Sequence, residues 1–195
     1  MNNIPSLTGV IIAGVGGQGA VTLSQLVIAA AWKSHYNAVQ SEVHGMSQRG
    51  GSVNAQILIS KYQVTSPTIL EGTASLLIGM EPLETLRYFN LLAPDAKVIT
   101  SICPVKNMHN YPDIDEILDE IKKINNSLLL DTLKISHELN NKNAGNIVLL
   151  GAASKNLPFS SEIWKETIIT RFQDKAKSVI DANLKAFEYG EQLNS

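Results

Sequence analysis

The sequence predicts a three-layer α/β domain with a mainly parallel sheet and a C-terminal helical segment, and three observations predict it. Short apolar, β-branched runs alternate with segments of helical period. The first of those runs ends at once in a glycine turn, and the last third of the chain reads mostly helical. With 195 residues, 44% hydrophobic and 17% charged, the chain is long enough for one sizeable core and falls within the range of a single domain, 1–195.

Taken in order, residues 8–13 form an apolar run that reads as a buried strand entering Gly14-Val15-Gly16-Gly17-Gln18-Gly19. Leu23, Leu26, Val27, Ala30 and Ala31 then recur at helical spacing, fading near His35, and a second strand is expected at 38–41. This reads as the start of a βαβ unit. Neither period holds over 42–51, where residues are polar or glycine, and strand character returns over 52–59. A further strand is expected at 75–79, a helix from Pro82 to about Phe89, and a strand at 97–100. Residues 113–124 carry the acidic start and lysine end that complement a helix dipole, and Leu128, Leu129 and Leu130 are a short strand candidate. Ala176, Val179, Ile180, Leu184 and Phe187 place an apolar stripe on a last helix, expected to pack on the sheet or on a partner.

Composition narrows the function classes. A net charge of -2 gives no electrostatic reason for a polyanionic partner, so nucleic acid is not expected. Neither a signal peptide nor a membrane span is expected from 1–32, and a reducing cytoplasm suits a chain whose only cysteine is Cys103. Four-thiolate iron–sulfur ligation within this chain is impossible on that count. His35, His44, His109 and His137 lack ligand spacing, so no metal is expected.

In a doubly wound domain, ligands meet the carboxyl ends of the strands, so the 14–19 turn and the 42–51 loop, which both follow strands, are expected to lie close together. Gly14, Gly16 and Gly19 satisfy G-x-G-x-x-G in a Rossmann-like setting, and Glu42 follows 23 residues after Gly19. That pattern fits a dinucleotide, with the helix N-terminus on an anion, or equally a close strand–helix contact without a ligand. Triphosphate hydrolysis does not fit, because Ala20 and Val21 stand where a phosphate loop needs lysine and a hydroxyl. Glu42-Val43-His44-Gly45-Met46-Ser47-Gln48-Arg49-Gly50-Gly51 packs a carboxylate, an imidazole, a hydroxyl, an amide and a guanidinium between glycines. Such density is unusual for a plain connection, although a solvated loop with Arg49 paired to Glu42 remains open. A hydrolytic Ser47–His44 pair lacks a nucleophile elbow and a placed third member.

The glycine turn followed by His44-Gly45-Met46-Ser47-Gln48-Arg49-Gly50-Gly51 resembles the gamma-type domain of 2-oxoacid:ferredoxin oxidoreductases, in the version found in the small, beta subunit of the indolepyruvate branch. The likeness extends through Glu81-Pro82-Leu83-Glu84, Tyr111-Pro112, the 144–152 segment and the 183–188 segment, and so covers nearly the whole chain. Asparagine- and lysine-rich patches at 122–126 and 140–143 depart from it and read as surface drift.

The resemblance implies coenzyme A-dependent oxidative decarboxylation of a 2-oxoacid, with indolepyruvate or another arylpyruvate favoured over pyruvate. It implies thiamine diphosphate, Mg and 4Fe-4S clusters in a larger partner subunit, none bound by this chain alone, with ferredoxin reduced through the complex. Self-association of the isolated chain is a further expectation. No residue here is assigned a catalytic step. Glu42, His44, Ser47, Gln48, Arg49, Gly50 and Gly51 are expected to face the partner's site, the substrate or coenzyme A, with Gly14, Gly16, Gly17 and Gly19 allowing close backbone approach. The alternatives are a subunit acting on pyruvate or another 2-oxoacid and, after that, a stand-alone Rossmann NAD-binding protein.

Overall fold

The first apolar run is a strand buried along its whole length, β1 (Thr8–Val15), and it lies in the middle of the sheet. The structure is a computed structural model that describes residues 7–45 and 50–194. Helix α1 (Ala20–Lys33) follows the glycine turn and stops where Ser34 and His35 leave the helical path, His35 at φ 59. Strand β2 (Asn37–His44) runs further than the 38–41 expected, so Glu42, Val43 and His44 are ladder residues rather than loop. Strand β3 (Ser52–Ser60) then returns antiparallel to β2 and to β1.

The remaining elements alternate as expected: β4 (Ala74–Gly79), α2 (Pro82–Leu86), β5 (Leu92–Ser101), α3 (Ile114–Lys122) and β6 (Ser127–Leu130). Four helices complete the described chain: α4 (Thr132–Glu138), α5 (Ala144–Ser154), α6 (Ser161–Arg171) and α7 (Lys177–Leu193). Helix α2 is shorter than the sequence suggests and gives way to a 3-10 turn at Phe89–Leu91.

Sheet order is β2-β3-β1-β4-β5-β6, with β1, β4, β5 and β6 paired in parallel. The expected βαβ unit is therefore modified. Helix α1 carries the chain from β1 to a strand of the same direction, but β3 fills the position between them. The reason lies in the connection: parallel neighbours need a crossover of a dozen or more residues, whereas the short 45–51 link permits only a hairpin.

Alternate residues of the strands feed two cores. Val10, Ile12, Leu76, Ile78 and Ile99 pack with α1 and α5, while Ile11, Ala13, Leu77 and Val98 pack beneath α2 and α3. The three expected layers are present, with a further helical layer on one side. Helix α7 packs chiefly on α5 rather than on the sheet, and Ala186 and Phe187 of its stripe are fully buried while Val179 is exposed. The α5 and α7 backbones touch at two glycines. A Cβ at Gly151 would stand 2.1 Å from the Phe187 carbonyl oxygen, and one at Gly190 would stand 2.2 Å from that of Val148.

Those contacts make Gly190→Ala an overpacking substitution against backbone, which cannot step aside as a flexible side chain could. It is expected to destabilise the chain by about 1–3 kcal/mol. Thermal unfolding of the variant against the wild type checks this, with a lowering of Tm by several degrees expected for a chain of this size.

Candidate functional site

The site forms where β1, β4, β5 and β6 end. After β1 the backbone turns through Gly17 at φ +101 and Gly19 at φ +92, a left-handed path that side chains rarely follow. Among the described residues nothing stands within 4 Å of a Cβ placed on Gly17, so its backbone is open to an approaching molecule. Gly19 is the N-cap of α1 and provides no side-chain cap, leaving first-turn N–H groups of α1 without one. Gln18 braces the turn from within: its Oε1 accepts from Val15 N at 2.8 Å, and its Nε2 donates to the Met80 carbonyl at 2.9 Å.

The hairpin between β2 and β3 is joined to this turn. Gly16 N donates to the Gly51 carbonyl at 2.8 Å, and Gly50 N donates to the Gly16 carbonyl at 3.5 Å. The expected nearness of the two motifs is thus a direct backbone contact. Ser47, Gln48 and Arg49, and the side chain of His44, lie outside the described residues.

Glu42 is placed differently from the acid of a dinucleotide site. Because β3 intervenes, Glu42 pairs with Ala55, which pairs with Ile12, so it stands two strands, roughly 10 Å, from β1. Its Oε1 accepts from Ser24 Oγ of α1 at 3.0 Å and from Gln40 Nε2. The second-strand acid of a dinucleotide site belongs to the strand beside the glycine turn, so the fingerprint read from spacing is not completed in space.

Two carboxylates that composition could not single out are buried beside the site. Glu81, at the end of β4, is 1% exposed, and Glu84, in α2, is 4% exposed. Glu81 Oε2 accepts from Glu84 N at 2.8 Å as the cap of α2, while its Oε1 accepts from Val105 N at 3.3 Å and from the Tyr111 hydroxyl. Glu84 accepts from Ser52 Oγ at 2.5 Å, at the root of the motif hairpin, and from Arg87 Nε at 3.2 Å. Burial, reinforced by the hydrogen bond to Glu81, holds the Tyr111 hydroxyl well above the ordinary phenol range. The segment after β5 closes the arrangement, because Asn107 Nδ2 donates to the Gly50 carbonyl.

A cleft of about 400 Å³ opens beside the glycine turn, between Gly17, Met80, Thr132, Ser136, Lys142 and Asn146. The α5 N-terminus also faces it, and its N-cap Asn143 makes no side-chain capping bond. Two helix N-termini and the Lys142 ammonium give the cleft positive character. Lys142 and Asn143 belong to the patch read from sequence as surface drift. Their signal was the position just before a helix rich in small residues, next to the Asn146 that packs against Gly19. Among the described residues no group of three or more His, Cys, Asp or Glu lies together to hold a metal ion, and no helix is long and apolar enough to cross a membrane. The lone Cys103 Sγ donates to Asp131 Oδ1 at 3.5 Å.

Residues 9–193 match the family described as Pyruvate ferredoxin/flavodoxin oxidoreductase, and the chain belongs to that family. Within it, the chain is of the small-subunit kind, a component of an oxidoreductase complex. It is 35% identical over 190 residues to the indolepyruvate oxidoreductase subunit IorB of Archaeoglobus fulgidus, covering 93% of this chain and 92% of the relative. It is 36% identical over 187 residues to the subunit of the same name from Methanothermobacter thermautotrophicus, covering 92% and 93%.

Among solved structures, the 2-oxoglutarate:ferredoxin oxidoreductase of Magnetococcus marinus, with 2-oxoglutarate, coenzyme A and succinyl-CoA bound, superposes with a TM-score of 0.77 at 18% identity. The match covers 98% of this chain and 31% of that one, so this chain spans about a third of its length. The gamma subunit of a keto/oxoacid ferredoxin oxidoreductase from Geobacter sulfurreducens superposes with a TM-score of 0.69 at 20% identity, covering 96% and 98%. Both share the fold of this chain.

The raised Tyr111 pKa fixes a sign for alkaline stability. A phenol whose folded pKa lies above the ordinary value of 10.0 contributes stability that is complete below that pH. That contribution is lost as pH rises, because the unfolded chain ionises first. Tyr111→Phe is expected to remove about 1–3 kcal/mol at pH 8 and to shrink the wild-type excess stability further above pH 10. Thermal melts of both proteins between pH 8 and 11 check both parts.

Proposed function

We propose that this chain closes the active site of a 2-oxoacid:ferredoxin oxidoreductase that oxidises indolepyruvate or a related arylpyruvate with coenzyme A. The observation that carries the proposal is the backbone junction of the glycine turn with the motif hairpin at the sheet's carboxyl ends, in a chain of this family. The names of the 35–36% identical relatives support the indolepyruvate branch. Pyruvate or another 2-oxoacid is the alternative substrate.

We assign the clusters and thiamine diphosphate to the larger partner, and the chain's single cysteine supports this for the clusters. There they supply decarboxylation of the oxoacid and removal of two electrons to ferredoxin, with the acyl group leaving on coenzyme A as a thioester. This chain's contribution is binding and exclusion of water. The Gly16-Gly17 turn, open at Gly17, allows close approach, the uncapped N-termini of α1 and α5 with Lys142 favour an anion, and Arg49 supplies charge to a carboxylate or phosphate. Glu42, His44, Ser47, Gln48, Gly50 and Gly51 border the partner's site. Glu42 does so from the strand β2, fixed to α1 through Ser24.

The test is purification of the chain with its partner, then ferredoxin reduction with coenzyme A and indolepyruvate, pyruvate or 2-oxoglutarate in turn. Indolepyruvate is expected to support the highest kcat/KM. Arg49→Ala is expected to assemble normally and to lose about 10- to 100-fold in kcat/KM, the range of one charge-assisted hydrogen bond. Unchanged assembly and turnover in that variant would remove Arg49 from the site, and NAD binding by the isolated chain would favour a dinucleotide reading.

A further inference from the structure

Hydrogen bonds around the site close into a ring. Met80 accepts from the Gln18 side chain, and Gln18 braces the turn that contains Gly16. Gly16 exchanges backbone bonds with Gly50 and Gly51, and the Gly50 carbonyl accepts from the Asn107 amide. Asn107 N donates to Val105 O at 2.8 Å, and Val105 N donates to Glu81 Oε1, which returns the ring to the residue after Met80. The Tyr111 hydroxyl, on the same carboxylate oxygen, pins the far end of the segment that carries Asn107.

The ring's parts are unequal. Glu81 is 1% exposed and fixed by three donors, so the β4 end is rigid. The hairpin at the other side joins β2, the edge strand of the sheet, to β3. Asn107 is an exposed residue, yet its side chain spans 57 positions to reach the hairpin, and a Cβ on Gly50 would lie 3.7 Å from its own Cβ. An exposed amide contributes little to stability but can hold a backbone group in one place.

We propose that Asn107 is a positioning residue. Through its bond to the Gly50 carbonyl it transmits the fixed position of Glu81 to the motif hairpin, holding the residue next to Arg49 against the Gly16 turn. The inference rests on the function proposed above and adds a residue outside both motifs. It acts on geometry rather than on substrate, so its removal changes binding and turnover more than folding.

Asn107→Ala, Asn107→Asp and Asn107→Gln are compared with Arg49→Ala in the assembled complex, reading kcat and KM for the 2-oxoacid and for coenzyme A together with Tm. Alanine and aspartate lack the donor and are expected to raise one KM about tenfold, with Tm within about 2 °C of wild type; glutamine keeps the donor and is expected to restore most of the loss. In a double-mutant cycle, Asn107→Ala is expected to add little to Arg49→Ala, since both act through one hairpin. A normal KM in Asn107→Ala beside an impaired Arg49→Ala overturns the positioning role alone. So does a lowered Tm without a KM change, or full additivity in the cycle. A silent Arg49→Ala overturns the underlying reading and this inference with it.

Discussion

The insertion of β3 between β1 and β2 is the constraint on which the rest of the site depends. It places a hairpin, instead of a crossover helix, at the carboxyl end of the central strand, and so brings the 45–51 link within backbone reach of Gly16. It also moves Glu42 one strand away from the position a ribose-binding acid would take. One topological choice thus removes a dinucleotide geometry and creates a rim in which two glycine-rich segments support each other.

Burial of Glu81 and Glu84 is the energetic counterpart. A carboxylate withdrawn from water is costly unless its oxygens are satisfied. Glu81 has a backbone N–H on each oxygen and the Tyr111 hydroxyl beside one of them, and Glu84 has Ser52 and Arg87. Those donors come from several parts of the rim: Glu84 at the start of α2 and Arg87 at its end, Val105 and Tyr111 in the segment after β5, and Ser52 at the root of the hairpin. Removing Glu81 would leave two backbone N–H groups and the Tyr111 hydroxyl without their acceptor, which is why an acid sits where the sheet's end would otherwise be apolar.

Much of the fold was legible in the sequence because its strands and helices keep their periods. The run at 8–13, the stripe through Leu23, Leu26 and Val27, and the acidic start of α3 each state a local rule that the structure obeys. The direction of β3 was not legible, since a strand covered on both faces reads alike whichever way it runs; only the shortness of the 45–51 link pointed to a hairpin. The nearness of the two glycine segments followed from both coming after strands. Val105 and Asn107 offered no signal, because their bonds reach partners 24 and 57 residues away. Lys142 and Asn143 are exposed, as the sequence suggested, and only the fold shows that they also line the cleft beside the glycine turn.

The most direct test of the account is hydrogen–deuterium exchange on the chain alone and in its complex with the larger partner. The account predicts that assembly protects the amides of 16–20, 50–52 and 103–108, the rim formed by the turn, the hairpin and the Asn107 segment. Protection confined to α6 and α7, with that rim exchanging as in the free chain, would contradict it.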